Sequence, residues 1–241
     1  MPETVNGPDD GLEWDAINWA LHEQNVVRLR RRIFTAARDG DLAKVRNLQK
    51  MMLRSWSNTL AGVRQVTQRN AGRRTAGVDR VVALDGPARM AMAREVHRTM
   101  RSWQPLPVRR VYVPKANGKQ RPLGIPVLQD RCHQARVKNA LEPEWEARFG
   151  ARVYGFRPGR SPHKALDALA AGVYRKRVNW VLDADIRDFF GSLDRDWLAR
   201  FLRHRIADER VLRLIGKWMA AGVIEARSKA GSPSMKFRTR L

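Results

Sequence analysis

The stretch from Val178 to Phe190 reads V-N-W-V-L-D-A-D-I-R-D-F-F, and it constrains the fold more than any other part of the chain. Its first half is short and apolar, which predicts a buried β-strand. Asp183 and Asp185 stand at i and i+2, so a strand directs both to one face. Two carboxylates on one face cost several kcal/mol to bury unless a cation lies between them. The stretch therefore predicts a strand end that opens onto a hydrated, metal-binding cleft. The alternative is a strand that ends at Leu182, with the aspartates capping the next turn.

The charge balance predicts a polyanionic partner. The 241 residues contain 47 Lys and Arg against 24 Asp and Glu, a net charge of +23. Such an excess is typical of nucleic-acid binding. A membrane is not expected, because no long apolar span or signal-type segment is present. The single cysteine, Cys132, excludes an internal disulfide, fits a reducing cytoplasm and predicts a small buried apolar side chain. Residues 1–11 are expected to be a disordered acidic leader.

Two basic helical segments follow the leader. Residues from Leu12 to Arg38 predict one helix, which Asp39-Gly40-Asp41 ends. Apolar residues that step by three or four from Leu42 to Val66 predict a second, long helix. The outer faces carry cations that are either a solvated surface or phosphate contacts, and we favour phosphate contacts. The predicted nucleic-acid-binding residues here are Arg28, Arg30, Arg31, Arg32, Lys50, Arg54, Arg64 and Arg69.

A hairpin and an aromatic loop extend this basic character. Asn117-Gly118 is a strong turn signal between predicted strands at Arg109–Val113 and Arg121–Ile125. Lys115 and Arg121 flank the turn, where cations suit phosphate groups. The loop at 154–161 alternates rings with Arg157 and Arg160, a pattern that suits bases and phosphates. Further helices are expected over 86–102, 128–149, 161–175, 197–204 and 208–221.

Four blocks of the sequence, in order, resemble a group II intron reverse transcriptase, the polymerase and maturase encoded inside a mobile intron. L-Q-K-M-M-L-R-S-W with R-R-T-A-G-V-D is similar to the N-terminal RNA-binding region. V-Y-V-P-K-A-N-G-K-Q-R-P-L-G-I-P with D-R-C-H-Q-A is similar to the first fingers block, and L-E-P-E-W-E-A-R-F through Y-G-F-R-P-G-R-S is similar to the second. W-V-L-D-A-D-I-R-D-F-F resembles the first palm motif. The resemblance implies an α+β fold, with a helical N-terminal region followed by fingers and an incomplete palm.

The resemblance also implies roles for individual residues. Asp185, with the Ile186 carbonyl, matches the palm ligands of two catalytic Mg²⁺ ions, whereas Asp183 matches an acidic position not assigned to metal. Phe190 matches the bulky residue that excludes a ribonucleotide 2′-hydroxyl. Lys115 and Arg121 match the fingertip cations that grip the incoming dNTP. Arg157 and Arg160 lie in a loop that resembles a nucleic-acid-contacting segment.

The resemblance ends near Ile224, before the family's Tyr-Ala-Asp-Asp hairpin. The expected organisation is a leader (1–11), a helical RNA-binding region (12–80), fingers and partial palm (81–224) and a divergent basic tail (225–241). We therefore expect the N-terminal part of such an enzyme, inactive alone, with intron RNA, RNA template, DNA primer and a complementing C-terminal fragment as partners. The alternatives are a non-catalytic intron-RNA-binding protein that assists splicing, and a non-specific DNA-binding protein.

Overall fold

A computed structural model describes residues 11–114, 116, 118–175, 180–186, 189–206 and 208–225, apart from the side chain of Phe190. The predicted α+β class is confirmed, since helices surround one small sheet. The helices are α1 (Trp19–Arg38), α2 (Leu42–Arg54), α3 (Trp56–Arg64), α4 (Gly86–Thr99), α5 (Leu128–Arg148), α6 (Pro162–Tyr174), α7 (Phe189–Ser192), α8 (Arg195–Arg205) and α9 (Glu209–Ala220).

Short polar side chains fix where most of these helices begin. The Asp41 carboxylate accepts a hydrogen bond from the Lys44 backbone N–H, and Asp194 does the same for Trp197. Each such cap satisfies one of the backbone donors that a helix N-terminus leaves without a partner. The same arrangement occurs at Asn18, Ser55, Asp85, Ser161 and Asp208.

Two helix predictions are wrong in their extent. The first helix begins at Trp19 rather than Leu12, because Asn18 caps it and a separate 3-10 turn occupies Trp14–Ala16. The long helix predicted from Leu42 to Val66 is broken at Ser55, which is extended at φ −68° and ψ 127°. The Ser55 hydroxyl accepts the Asn58 backbone N–H and so starts α3 as a new helix.

The sheet confirms the predicted hairpin and adds a strand. β1 (Val108–Pro114) pairs antiparallel with β2 (Gln120–Ile125), and Val113 lies opposite Arg121. Gly118 in the turn has φ +74°, a left-handed conformation that glycine adopts without strain. β3 (Val223–Glu225), which the sequence did not predict, pairs parallel with β1, so the order is β2-β1-β3.

The strand predicted across the palm-like stretch is absent from its described part. Residues 180–186 have no regular secondary structure and are exposed, and Trp180 and Leu182 are 91% and 90% accessible. A strand needs a neighbour to satisfy its backbone N–H and C=O groups, and this segment pairs with none of β1, β2 or β3. Val178 and Asn179, the first residues of the prediction, lie outside the described residues.

The core consists of two apolar clusters, and α5 contributes to both. Val137 and Ala140 pack with α1, α2 and α9, whereas Leu128 and Cys132 pack with α3 and α4. The prediction of a buried apolar cysteine is confirmed, and burial raises the pKa of its thiol to about 12.

Arg136 lies between these two clusters and is 1% exposed. Its Nη1 donates to the Val96 carbonyl and its Nη2 to the Leu53 carbonyl, both at 2.7 Å. The two carbonyls belong to the last turns of α4 and α2, where helices leave carbonyls without partners and carry partial negative charge. The side chain passes Gly62, where an added Cβ would lie 3.2 Å from the Arg136 Cγ. One guanidinium thus joins three helices through the core.

Asp130 makes a second polar contact inside the fold. Its Oδ1 accepts the indole N–H groups of Trp103 and Trp218 at 2.6 and 2.9 Å. Burial raises the pKa of the Asp130 carboxyl, although these hydrogen bonds act in the opposite direction. The Lys217 ammonium donates to the Trp103 carbonyl at 3.1 Å. These contacts hold α9, and therefore the adjoining β3, against the start of α5.

Replacing Arg136 by methionine should lower the free energy of unfolding by about 2–4 kcal/mol, since the Leu53 and Val96 carbonyls lose their donors while remaining buried. Urea unfolding followed by circular dichroism measures this change. Arg98→Met is the matched control, because the Arg98 side chain is 74% exposed and its ion pair with Glu95 is a surface contact. Equal stability of the two variants would contradict the role assigned to Arg136.

The pH dependence of stability should report His133. Burial lowers the pKa of this fully buried imidazole to about 3, while an unfolded histidine titrates near its ordinary pKa of 6.5. The unfolded chain therefore binds the extra proton between these values, and stability falls as the pH falls through this window. As the pH falls below 6.5, the wild type should therefore lose about 1.4 kcal/mol more of its free energy of unfolding per pH unit than His133→Phe loses. Subtraction cancels the contributions of His97 and Asp130. A difference that stays constant from pH 7 to pH 4 would show that the imidazole does not titrate this way.

Candidate nucleic-acid interface

The outer face of α1 presents arginines to solvent. Arg28, Arg31 and Arg32 are exposed, and Arg28 donates to Asn25 one helical turn before it. Arg30, in the same run, is directed instead toward α5. Its Nη2 lies 2.5 Å from Glu142 Oε2, and its Nη1 donates to Asn139 at 3.3 Å. Three of the four predicted cations on α1 thus form an accessible basic surface, whereas Arg30 joins two helices.

Glu23 forms ion pairs with two of the predicted nucleic-acid-binding residues, Arg64 and Arg69. Its Oε1 lies 2.8 Å from Arg64 Nη1 and 2.6 Å from Arg69 Nη2. The Arg64 guanidinium also lies over the Trp19 ring, 4.2 Å from the ring centroid. The sequence analysis missed this use of Glu23, although its position four residues after Trp19 places both on one helical face. The positive charge available to a phosphate here is smaller than the residue count implies.

The end of α2 carries the other two predicted cations of this region. Arg54 is exposed, and Lys50 is partly buried. Lys50 is among the cations that lower the pKa of the Asp208 carboxyl, although the Arg210 hydrogen bond is the main cause. Arg54 lies at the mouth of a cavity between α2, α4, α5 and α9. This end of α2 is therefore a second accessible basic position.

The two arginines of the loop at 154–161 make different contacts: Arg157 pairs with a carboxylate of α5, whereas Arg160 lies over an aromatic ring. The Arg157 side chain is 6% exposed, and its Nη2 lies 2.6 Å from Glu146 Oε1. Its Nη1 donates to the carbonyls of Gly150 and Val153 at 2.7 and 2.8 Å. This contact lowers the pKa of the Glu146 carboxyl. Arg157 therefore holds the loop to the end of α5.

The other aromatic and basic side chains of this loop are exposed or partly exposed. Arg160 lies over the Tyr154 ring at 5.3 Å. Phe156 is fully exposed and has φ +57°, a conformation uncommon for residues other than glycine. A fully exposed ring and a partly exposed guanidinium in one loop offer a stacking surface and a phosphate contact. The sequence predicted the residue types but not this division between Arg157 and its neighbours.

The structure describes only some of the residues predicted for the fingertip and palm sites. Arg121 is exposed on β2, whereas Lys115 and the side chain of Phe190 lie outside the described residues. Asp183, Asp185 and Ile186 are exposed in the segment without regular structure. Within the described ranges, no group of three or more His, Cys, Asp or Glu side chains converges on a metal position. The carboxylates of this segment match magnesium in type but not in number.

No helix in the described part of the chain has the length and apolarity needed to cross a bilayer.

Comparison with known proteins identifies two regions. Residues 14–96 match the model for the N-terminal domain of reverse transcriptase, and residues 113–239 match that for reverse transcriptase (RNA-dependent DNA polymerase). The first region contains the basic helices α1 and α2, and the second contains the hairpin from Val113 onward and the palm-like segment.

Individual relatives agree with these matches. The chain is 37% identical over 207 residues to Protein YkfC of Escherichia coli K12, covering 83% of this chain and 54% of that protein. It is 37% identical over 125 residues to the group II intron-encoded protein LtrA of Lactococcus lactis, covering 52% of this chain and 20% of LtrA. It is 32% identical over 90 residues to nuclear intron maturase 1, mitochondrial, of Arabidopsis thaliana, covering 37% and 12%. The chain thus spans about half of the first relative and about a fifth of the second.

Proposed function

The chain belongs to the reverse transcriptase (RNA-dependent DNA polymerase) family, and from this membership we propose that it is the RNA-binding and fingers part of a group II intron reverse transcriptase and maturase. The observation that carries the proposal is the exposed basic surface of Arg28, Arg31 and Arg32, which lies inside the region matching the N-terminal domain. Intron RNA is the proposed partner, because accessible arginines on a rigid helix suit phosphates of a folded RNA.

The catalytic part of the proposal concerns the palm-like segment. In an intact polymerase of this family, Asp185 and the Ile186 carbonyl would bind magnesium, and Lys115, Arg121 and Phe190 would contact the dNTP. Template RNA and primer DNA would occupy the same cleft. Phosphoryl transfer with two metal ions needs several carboxylates, and the resemblance assigns only Asp185 to them. We therefore propose that this 241-residue polypeptide does not polymerise by itself.

A partner segment is part of the same proposal. Residues 180–201 expose large apolar side chains, among them Trp180, Leu182, Trp197 and Phe201. Exposed apolar surface of this extent is typical of an interaction site. We propose that a complementing polypeptide segment of the same family covers it. The single, buried Cys132 supports a reducing compartment such as the cytoplasm.

Removing two exposed charges from α1 should weaken RNA binding in a salt-dependent way. For Arg31→Gln with Arg32→Gln, the slope of log K against log salt should become shallower by about 1.4, since each contact with a single-stranded phosphate contributes about 0.7. Fluorescence anisotropy with a labelled intron RNA, repeated over several salt concentrations, measures the slope.

The control for this experiment is Arg195→Gln with Arg203→Gln, which removes the same charge from exposed positions on α8. It should change the slope less than the α1 variant does. Equal loss in both variants would indicate a diffuse charge effect rather than an α1 interface. Equally tight binding to duplex DNA would favour the non-specific DNA-binding alternative.

Primer extension should separate a binding protein from an autonomous polymerase. With an RNA template, a DNA primer, dNTPs and Mg²⁺, the 241-residue chain should incorporate no more nucleotide than Asp185→Asn, because one carboxylate holds too little charge for two metals. RNA binding without incorporation supports the splicing role. Incorporation that disappears in Asp185→Asn would instead establish an active polymerase.

A further inference from the structure

A cavity of about 300 Å³ lies where four helices meet, away from the palm-like segment. The ends of α2 and α4, the middle of α5 and the start of α9 form its walls. Its volume is at the lower end of the range for small-ligand pockets and exceeds that of a single phosphate group. The charged residues that line it are Arg54, Arg98, Arg101, Arg136, Arg210 and Asp208.

The charge of this cavity is strongly unbalanced. Asp208 is the one carboxylate in the lining, and Arg210 holds both of its oxygens, at 2.9 Å through Nε and 2.6 Å through Nη2. Arg98 is paired outside the cavity with Glu95 at 2.6 Å. Among the described residues, Arg54, Arg101 and Arg136 have no carboxylate partner. Three of the arginines in the lining therefore have no counter-ion from the described chain, and two of them, Arg54 and Arg101, are exposed.

Arg136 adds a buried positive charge to the lining of this cavity. It is 1% exposed, and its Nε has no hydrogen-bond partner among the described residues. Because it is buried, its charge acts on the cavity through space, from a fixed position in the wall, and not through direct contact with a bound anion. The two carbonyls that Arg136 holds fix the direction of its guanidinium, so the positive charge is preorganised at the cavity wall.

The start of α9 adds to this electrostatic environment. Asp208 caps the helix by accepting the Arg210 backbone N–H at 3.0 Å, and Val211 also lines the cavity. A helix N-terminus carries partial positive charge, which the Asp208 carboxylate already faces, so the arginines supply most of the attraction for a further anion. Arginine matches phosphate oxygens geometrically as well as by charge.

We propose that this cavity binds a phosphate group, and that a phosphate of an RNA strand occupies it in the complex. Occupation by an RNA phosphate rests on the proposed function, whereas phosphate binding by the cavity does not. A free phosphorylated small molecule has the same chemistry, so the experiments must distinguish the two sources. Palm and fingertip residues take no part in this site.

The first experiment tests the cavity without RNA. Inorganic pyrophosphate should raise the Tm of the wild-type chain saturably by about 2–4 °C, as expected for a ligand that binds only the folded state. The shift should be lost in Arg54→Gln with Arg101→Gln, and retained in Arg195→Gln with Arg203→Gln. Arg54 and Arg101 are exposed, so the variant should fold, and urea unfolding without ligand checks this. Sodium chloride at matched ionic strength corrects for general salt effects. Absence of a saturable wild-type shift, or its survival in the cavity variant, would overturn the site.

The second experiment identifies the source of the phosphate. In anisotropy titrations with single-stranded RNA, the cavity variant should show a salt slope shallower than wild type by about 0.7–1.4, for one or two lost contacts. The α8 control should differ less. A normal slope in the cavity variant, together with a pyrophosphate shift in wild type, would assign the cavity to a small molecule and refute occupation by a strand. Pyrophosphate binding by a wild-type chain that does not bind RNA would refute the proposed function and leave the phosphate site standing.

Discussion

One buried guanidinium, that of Arg136, is the contact on which the helical part of this fold depends. A cation in a core carries a desolvation cost of several kcal/mol that packing alone does not offset. Here the compensation comes from backbone rather than from an acid, because the Leu53 and Val96 carbonyls terminate α2 and α4. Burial still lowers the pKa of Arg136 to about 10, so the group stays charged at neutral pH. The geometry requires both helices to end where they do, and α5 to pass between them.

This requirement explains several neighbouring residues. Gly62 leaves room for the arginine stem, and Asn58 donates to the carbonyls of Met52 and Arg136 at 3.0 and 3.2 Å. Asn139 in turn donates to Asn58 at 2.9 Å. The break at Ser55 places α3 so that these amides reach α5. A continuous helix from α2 through α3 would end neither at Leu53 nor beside Arg136, so the interruption that the sequence analysis missed is part of the same arrangement.

Sequence predicted the structure correctly where short-range residue patterns determine it, and failed where tertiary contacts with other elements determine it. Asn117-Gly118 between two alternating runs was enough to locate the β-hairpin, and Asp41 and Ser161 marked helix starts without tertiary information. The interior of α5 gave no such signal, because Asp130, His133, Arg136 and Glu144 are buried polar residues on a helix that packs on several sides. Neither periodicity nor charge distinguishes them from surface residues. The strand expected at 178–185 is absent over its described part, 180–185, for a related reason, since an apolar run forms a strand only beside a hydrogen-bonding neighbour.

Net charge overestimates the positive charge available for binding, and the structure shows where the difference arises. Arg30, Arg64, Arg69 and Arg157 were predicted as nucleic-acid contacts, yet each holds a carboxylate of this chain at 2.5–2.8 Å. A phosphate would have to compete with Glu142, Glu23 or Glu146 for these groups. Arg31, Arg32 and Arg54 carry no such competitor among the described residues, and they occupy the outer face of α1 and the end of α2. An anionic strand therefore meets unpaired positive charge on the outer face of α1 and at the end of α2, and Arg54 also lines the cavity that includes Arg136.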